Sequence, residues 1–426
     1  MRTPHTEARG TEGSPTDSER VNTVPSTLCA LCDSVSPVWR PPGPGIRGSK
    51  LEAMRLRVLR LHAGYRCGHS GMCCTAPWGV PVEAPVYARL THALRTGELR
   101  ADQVGPERAF IPAETVGAGK PGQMLLARRG DACVFFEPDR GNLCAVHRQL
   151  GHEALPSTCR HFPRVALLDP RGVSVTLSML CPTARRLLAA DIDAPFDIVA
   201  GGPVTDGQLS WEGLDARDTL PPALSRSVLW DWDGISRWEE NVLQTLAAGL
   251  PVDAVIARAY EAGVRIEQWR PTNGSTLARH VDAAFANDAP LPDGLRDLDA
   301  LDALARTSVP PPLTCSPPPA DREDIDRRLV APAWDAVRSL VLRYLAGRAI
   351  GNWTACHTPT ARGWAVTLAV SCAVLRVEAA RACRDADRTL NEDLLLRAAG
   401  EADRILVHLV SPVDLARRIG ATIDPS

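Results

Sequence analysis

Lysine is nearly missing: Lys50 and Lys120 are the only two among 48 Lys and Arg residues in a chain of 426. Positive charge is therefore carried by arginine. With abundant Ala, Pro and Gly, this fits a GC-rich bacterial coding sequence rather than any one function. Excess charge is missing too, and a formal net charge of −2 offers no electrostatic footprint for a nucleic acid or a membrane surface. The opening "MRTPHTEARGTEGSPTDSER" lacks the apolar segment of a secretory signal. The longest apolar stretch, Trp364 to Leu375, is closed by Arg376 and Glu378. It falls short of the roughly 20 residues of a spanning helix, so a buried core helix is expected there. These absences lead to the expectation of a cytoplasmic protein. No internal repeat, Ser-His-Asp set or pair of carboxylates stands out.

What the chain does have is cysteine, 13 in all. In a reducing compartment, clustered cysteines are ligands or reactive thiols rather than disulfides. The remaining composition, 45% hydrophobic and 23% charged, is that of an ordinary soluble protein long enough for two or three domains.

The expected class is α+β: a small Cys-rich metal-binding domain followed by a mostly α-helical C-terminal region. Residues 1–50, rich in Ser, Thr, Pro and Gly, read as a disordered lead in which Cys29 and Cys32 are incidental. Residues 51–190 form the Cys-rich domain. There "QMLLARR" (123–129) and "ACVFFEP" (132–138) read as strands joined at Gly130-Asp131. "GVSVTLSML" (172–180) alternates, with Val173, Val175, Leu177 and Met179 on one face and Ser174, Thr176 and Ser178 on the other. Helical turns are expected around 84–97, around 144–151 and after Pro182. Residues 191–222 read as a linker, and 223–426 as a helical domain with a Pro-rich break at 308–324.

Seven cysteines lie between 67 and 181: Cys67, Cys73, Cys74, Cys133, Cys144, Cys159 and Cys181. Cys133 opens a strand, Cys144 follows a turn, Cys159 sits between Pro156 and Pro163, and Cys181 ends a strand before Pro182. Ligands at element ends suit a preorganised metal site. Thiolates select zinc, copper(I) or an iron–sulfur cluster over calcium or magnesium. Four would fill one centre, and His69, His147, His152 or His161 could help complete a second. The spacing matches neither the bacterial ferredoxin run nor paired C-x2-C zinc knuckles. Arg160 is a candidate for neutralising a thiolate-rich centre, with a surface salt bridge as the alternative. Neighbouring side chains in an extended segment point apart, so Cys73 and Cys74 are not expected to serve one ion alike. Cys315, Cys356, Cys372 and Cys383, each isolated, are expected in the apolar core.

The series "YRCGHSGMCCTAPWGV", "GDACVFFEPDRGNLCAVHRQLG", "LPSTCRHFPR" and "SMLCPTARRLL" resembles the YkgJ-type cysteine-cluster proteins, closest to their flagellin lysine-N-methylase-like (FliB-like) branch. The family's opening is often C-x2-C-x2-C-C. Here Cys67, Cys73 and Cys74 take the first, third and fourth positions, and Ser70 stands at the second. The resemblance covers about residues 65–190, and "WDWDGISRWEE" and "RYLAGRAIGNW" are less specifically similar to the branch's helical half. It implies a bound zinc, iron or iron–sulfur centre (4Fe-4S for a cluster). In that branch it also implies methyl transfer from S-adenosylmethionine to lysine side chains of a protein substrate. The alternative is a non-catalytic metalloprotein whose centre is structural, carries electrons or handles metal.

Nothing else in the sequence adds a cofactor site. "GPGIRG" (43–48) and "GAGKPG" (117–122) fit G-x-G-x-x-G literally, but neither stands between a strand and a helix, so neither is expected to cradle phosphate. A Rossmann-type methyltransferase is not expected. "WDWDGISRWEE" (230–240) reads as a helix start capped by Asp233, with Trp238 and Val242 on the core. An indole and carboxylate cage for a lysine ammonium is the other reading.

Overall fold

The computed structural model describes residues 55–102, 104–116, 122–202, 211, 213–311 and 313–423. The N-terminal lead with Cys29 and Cys32, "GPGIRG" and most of "GAGKPG" lie outside the described residues.

Two apolar stretches joined by a tight turn, Arg164–Asp169 and Gly172–Leu177, pair antiparallel from Gly172↔Asp169 to Leu177↔Arg164. Leu56–Leu59 adds in parallel to Gly172–Leu177. Ile198–Val199 and Leu214–Asp215 complete the two edges of a five-stranded sheet, so both ends of the segment read as a linker carry strands. Gly172 has φ 132°, and a Cβ there would stand 2.0 Å from the Arg55 carbonyl oxygen. Only glycine permits that approach of the neighbouring strand.

The alternation over 172–177 does not leave one face to solvent, because every residue of that strand is buried. Its polar side is satisfied from within. Arg57 Nη1 donates to Ser174 Oγ at 2.9 Å and Arg57 Nη2 to Glu239 Oε2 at 2.6 Å. Arg171 bridges Asp169 (2.7 Å) and Glu239 (2.9 Å). Burial opposes the charge of Glu239, but Arg171 and Arg57 outweigh it and hold its pKa below the ordinary value. This network fastens the sheet to the helix Trp232–Ala247.

That helix is capped by Asp231, whose side chain accepts from Gly234 N at 2.6 Å, and not by Asp233 as the sequence led one to expect. Trp230 and Trp238 are buried in edge contact at 6.0 Å, and Arg171 lies over Trp232 at 5.7 Å. Core packing and an internal cation thus occupy the indole faces that a lysine cage would need.

Helices follow as their periodicity requires, the longest being Ala361–Ala386. Among the described residues it alone is long and apolar enough to cross a membrane, and it lies buried in the core. Its Glu378 is held by Arg306 (2.7 Å) and Arg381 (2.8 Å). Cys372 and Cys383 are buried as expected, whereas Cys315 and Cys356 are half-buried. The Pro-rich 308–324 falls largely between Leu298–Arg306 and Arg322–Ile325.

One large core unites these helices with Leu59, Leu61, Tyr65, Leu177 and Met179 of the sheet region. A second, smaller core gathers Leu90, Phe110, Phe135 and Val146 with Cys74 and Cys133. The fold is therefore mixed α and β, with helices concentrated in the C-terminal half.

Candidate metal centre

The smaller core is built on very short elements. Arg128–Arg129 pairs with Ala132–Cys133 around Gly130 (φ 59°), the hairpin read from Gly130-Asp131 but only two residues long on each side. Phe136–Glu137 pairs with Leu143–Cys144, and the helix Ala145–Leu150 follows at once. The register sets Cys133 opposite Arg128 and Cys144 opposite Phe136.

Cys73 and Cys74 lie on a single helical turn, Met72–Thr75, entered through Gly71 at φ 75°. A Cβ on Gly71 would stand 2.8 Å from the Phe136 ring, so the turn is pressed directly onto the second ribbon. The segment is not extended, and this corrects the expectation that the two thiols diverge. Successive side chains on a helix are about 100° apart, and here the two Sγ atoms are 4.0 Å from each other.

Cys159 comes from another single turn, Ser157–His161, after Pro156. The Glu83 carboxylate accepts from Ser157 N at 3.1 Å and steadies the start of that turn.

Five of the seven predicted cysteines, Cys73, Cys74, Cys133, Cys144 and Cys159, line one pocket of about 20 Å³, walled by Trp78, Phe135 and Leu155. All five are free thiols. The Cys74 thiol donates towards Cys144 and Cys73, which pushes its own pKa up. The same hydrogen bond lowers Cys144, and lowers Cys73 to about 7. Burial pushes Cys133 up to about 12 and Cys159 well above the usual thiol range.

Arg128 also lines the pocket, and its charge favours the Cys133 thiolate. It is fixed there by donating to the Ala76 carbonyl at 2.8 Å and to the Asp131 carbonyl. Arg160, the cation proposed from sequence, is not in the pocket wall and donates to the Leu155 carbonyl at 3.1 Å.

Cys67 and Cys181 do not line the pocket. Cys67 is exposed, and Cys181 is buried with its Sγ 3.6 Å from the Tyr65 hydroxyl. Both act electrostatically on Tyr65 and Arg164, so they form a separate group. Ser70 is exposed and its Oγ accepts from Met72 N at 3.4 Å. His69 and His147 are exposed, and His147 meets His152 edge-on at 5.9 Å. His161 faces a different cavity.

The donor set suits a soft metal, since the pocket wall holds five sulfurs and no imidazole or carboxylate. The Cys73–Cys74 separation of 4.0 Å is near the roughly 3.8 Å between two sulfurs on a tetrahedral zinc with bonds of about 2.3 Å. Among the described residues no three Cys, His, Asp or Glu side chains already stand close enough to hold one ion. Binding would draw the thiols inward across the pocket.

No protein-family model, curated protein or solved structure matches the chain.

Proposed function

We propose that this chain binds a zinc ion or an iron–sulfur cluster through four thiolates drawn from Cys73, Cys74, Cys133, Cys144 and Cys159. The observation that supports this most strongly is their convergence, from four separate elements, on one pocket. Cysteines that merely fill a core are scattered, as are Cys372 and Cys383, which lie on the long helix Ala361–Ala386 and outside the thiol pocket. Arg128 would offset part of the negative charge of a thiolate centre. Bound zinc would staple the short ribbons together, and an iron–sulfur cluster would add one-electron chemistry.

The wall of Trp78, Phe135 and Leu155 is apolar, and Arg128 is the one charged side chain beside the five thiols, so the described lining offers no acid or base to act on a substrate. That favours a structural or electron-transferring centre over one that touches substrate. The methyl transfer to protein lysine implied by the resemblance draws its support from the motif series, and incubation with labelled S-adenosylmethionine and cell extract tests it.

The primary test is anaerobic purification followed by metal analysis and a visible spectrum. Stoichiometric zinc in a colourless protein, or iron with broad violet absorption, is the expected result. A folded chain that neither retains nor takes up either metal would overturn the proposal.

A further inference from the structure

A second cavity, of about 430 Å³, lies between the segment bearing Cys159 and the last helices. It falls within the roughly 300–1,000 Å³ typical of small-molecule sites. Part of its wall is aromatic. Trp78 and His408 stack with ring centroids 4.5 Å apart and planes at 17°, and Phe162 is 6.1 Å from the first and 6.0 Å from the second. Burial and then the Arg348 charge push His408 down to about 3, so its ring is neutral at physiological pH. Its Nε2 lies 2.8 Å from Ser178 Oγ, which fixes the ring's orientation. Trp78, Phe162 and His408 together give the cavity an uncharged aromatic wall.

The cavity's charge is of one sign. Arg164 and Arg348 line it, and among the described lining residues there is no Asp or Glu. Arg164 is already engaged, with its guanidinium 5.4 Å above the Tyr65 ring. Arg348 is different: its Nε is buried and donates to no described atom. The carboxylate that acts on it, Asp403, is committed elsewhere, accepting from Met179 N at 2.6 Å and from the Tyr344 hydroxyl at 2.9 Å. Arg348 as a whole is half-buried and lines the cavity without a salt bridge to any described carboxylate, so its guanidinium charge faces space that an anion can enter.

We infer that this cavity is a binding site for a planar organic carboxylate. Its ring lies against Trp78, Phe162 and His408, and its carboxylate pairs with Arg348, whose planar fork of donors matches a carboxylate's two oxygens. The site does not depend on a metal. It does adjoin the thiol pocket: Trp78 walls both, and the turn Ser157–His161 sends Cys159 to one and Thr158 and His161 to the other.

The test is titration calorimetry on the full chain with 1-naphthoate and its neutral counterpart 1-naphthamide. Naphthoate is expected to bind one per chain, at least tenfold tighter than naphthamide. Arg348→Met should weaken naphthoate tenfold or more and leave naphthamide unchanged, while Arg348→Lys should retain part of the preference. Equal affinities for the two probes, no binding of naphthoate, or full naphthoate affinity in Arg348→Met would each overturn the inference. Should Arg348→Met not fold, the comparison of the two probes on the unaltered protein decides alone.

Discussion

The Sγ atoms of Cys73 and Cys74 stand 4.0 Å apart on one helical turn and face the same pocket. Adjacent cysteines in a strand would point to opposite sides. The turn that Gly71 opens converts that pair from a divergent to a convergent one. Three further thiols reach the same point from two ribbons and a second turn, which makes the pocket a candidate centre rather than a chance pair.

An all-sulfur centre makes the nearby imidazoles irrelevant to metal retention. His147 and His152 touch each other but do not line the pocket. The double variant His147→Ala/His152→Ala is expected to keep full metal content and an unchanged visible spectrum. Loss of half the metal or more would show that imidazole belongs to the centre.

Glu239 carries the attachment of the sheet to the first long helix. Glu239→Gln leaves Arg57 buried without its counter-charge and Arg171 with Asp169 alone, and is expected to cost about 3–5 kcal/mol in denaturant unfolding. Because the pKa of Glu239 is held below its ordinary 4.5, its contribution is complete above that pH. It is lost as the pH falls through the lowered value. The stability advantage of the unaltered chain over Glu239→Gln should therefore shrink on acidification below about 4.5.

The capping assignment separates two neighbouring aspartates. Asp231→Ala should cost about 1 kcal/mol, since it removes the acceptor of Gly234 N. Asp233→Ala, lying inside the first turn, should cost only about 0.3–1 kcal/mol through the helix dipole. Matched urea titrations distinguish the two, and a larger loss at Asp233 would reverse the assignment.

Local patterns carried the local structure. The hairpin at Gly130-Asp131 and the break at 308–324 were legible because turn residues set backbone geometry directly. The hairpin's register also placed Arg128 across from Cys133, a signal that identifies the pocket's cation better than Arg160's adjacency to Cys159. Three-dimensional grouping was less legible. Cys67 and Cys181 belong to the same motif series as the other five, yet order along the chain carries no distance, and they gather instead around Tyr65. The strand 172–177 looked half-exposed because Ser174 and Thr176 alternate with valines. Its polar side is buried against arginines supplied from elsewhere. The cavity around Arg348 joins residues as distant as Trp78 and His408, and no local pattern announces it.

The partition of the cysteines is the central claim, and metal content per chain measures it directly. In Cys73→Ala/Cys159→Ala only three pocket thiols remain, fewer than the four ligands a closed thiolate centre takes. That variant is expected to lose its metal, whereas Cys67→Ala/Cys181→Ala keeps all five pocket thiols and should retain it in full. Full metal in the first variant, or loss confined to the second, would contradict the assignment.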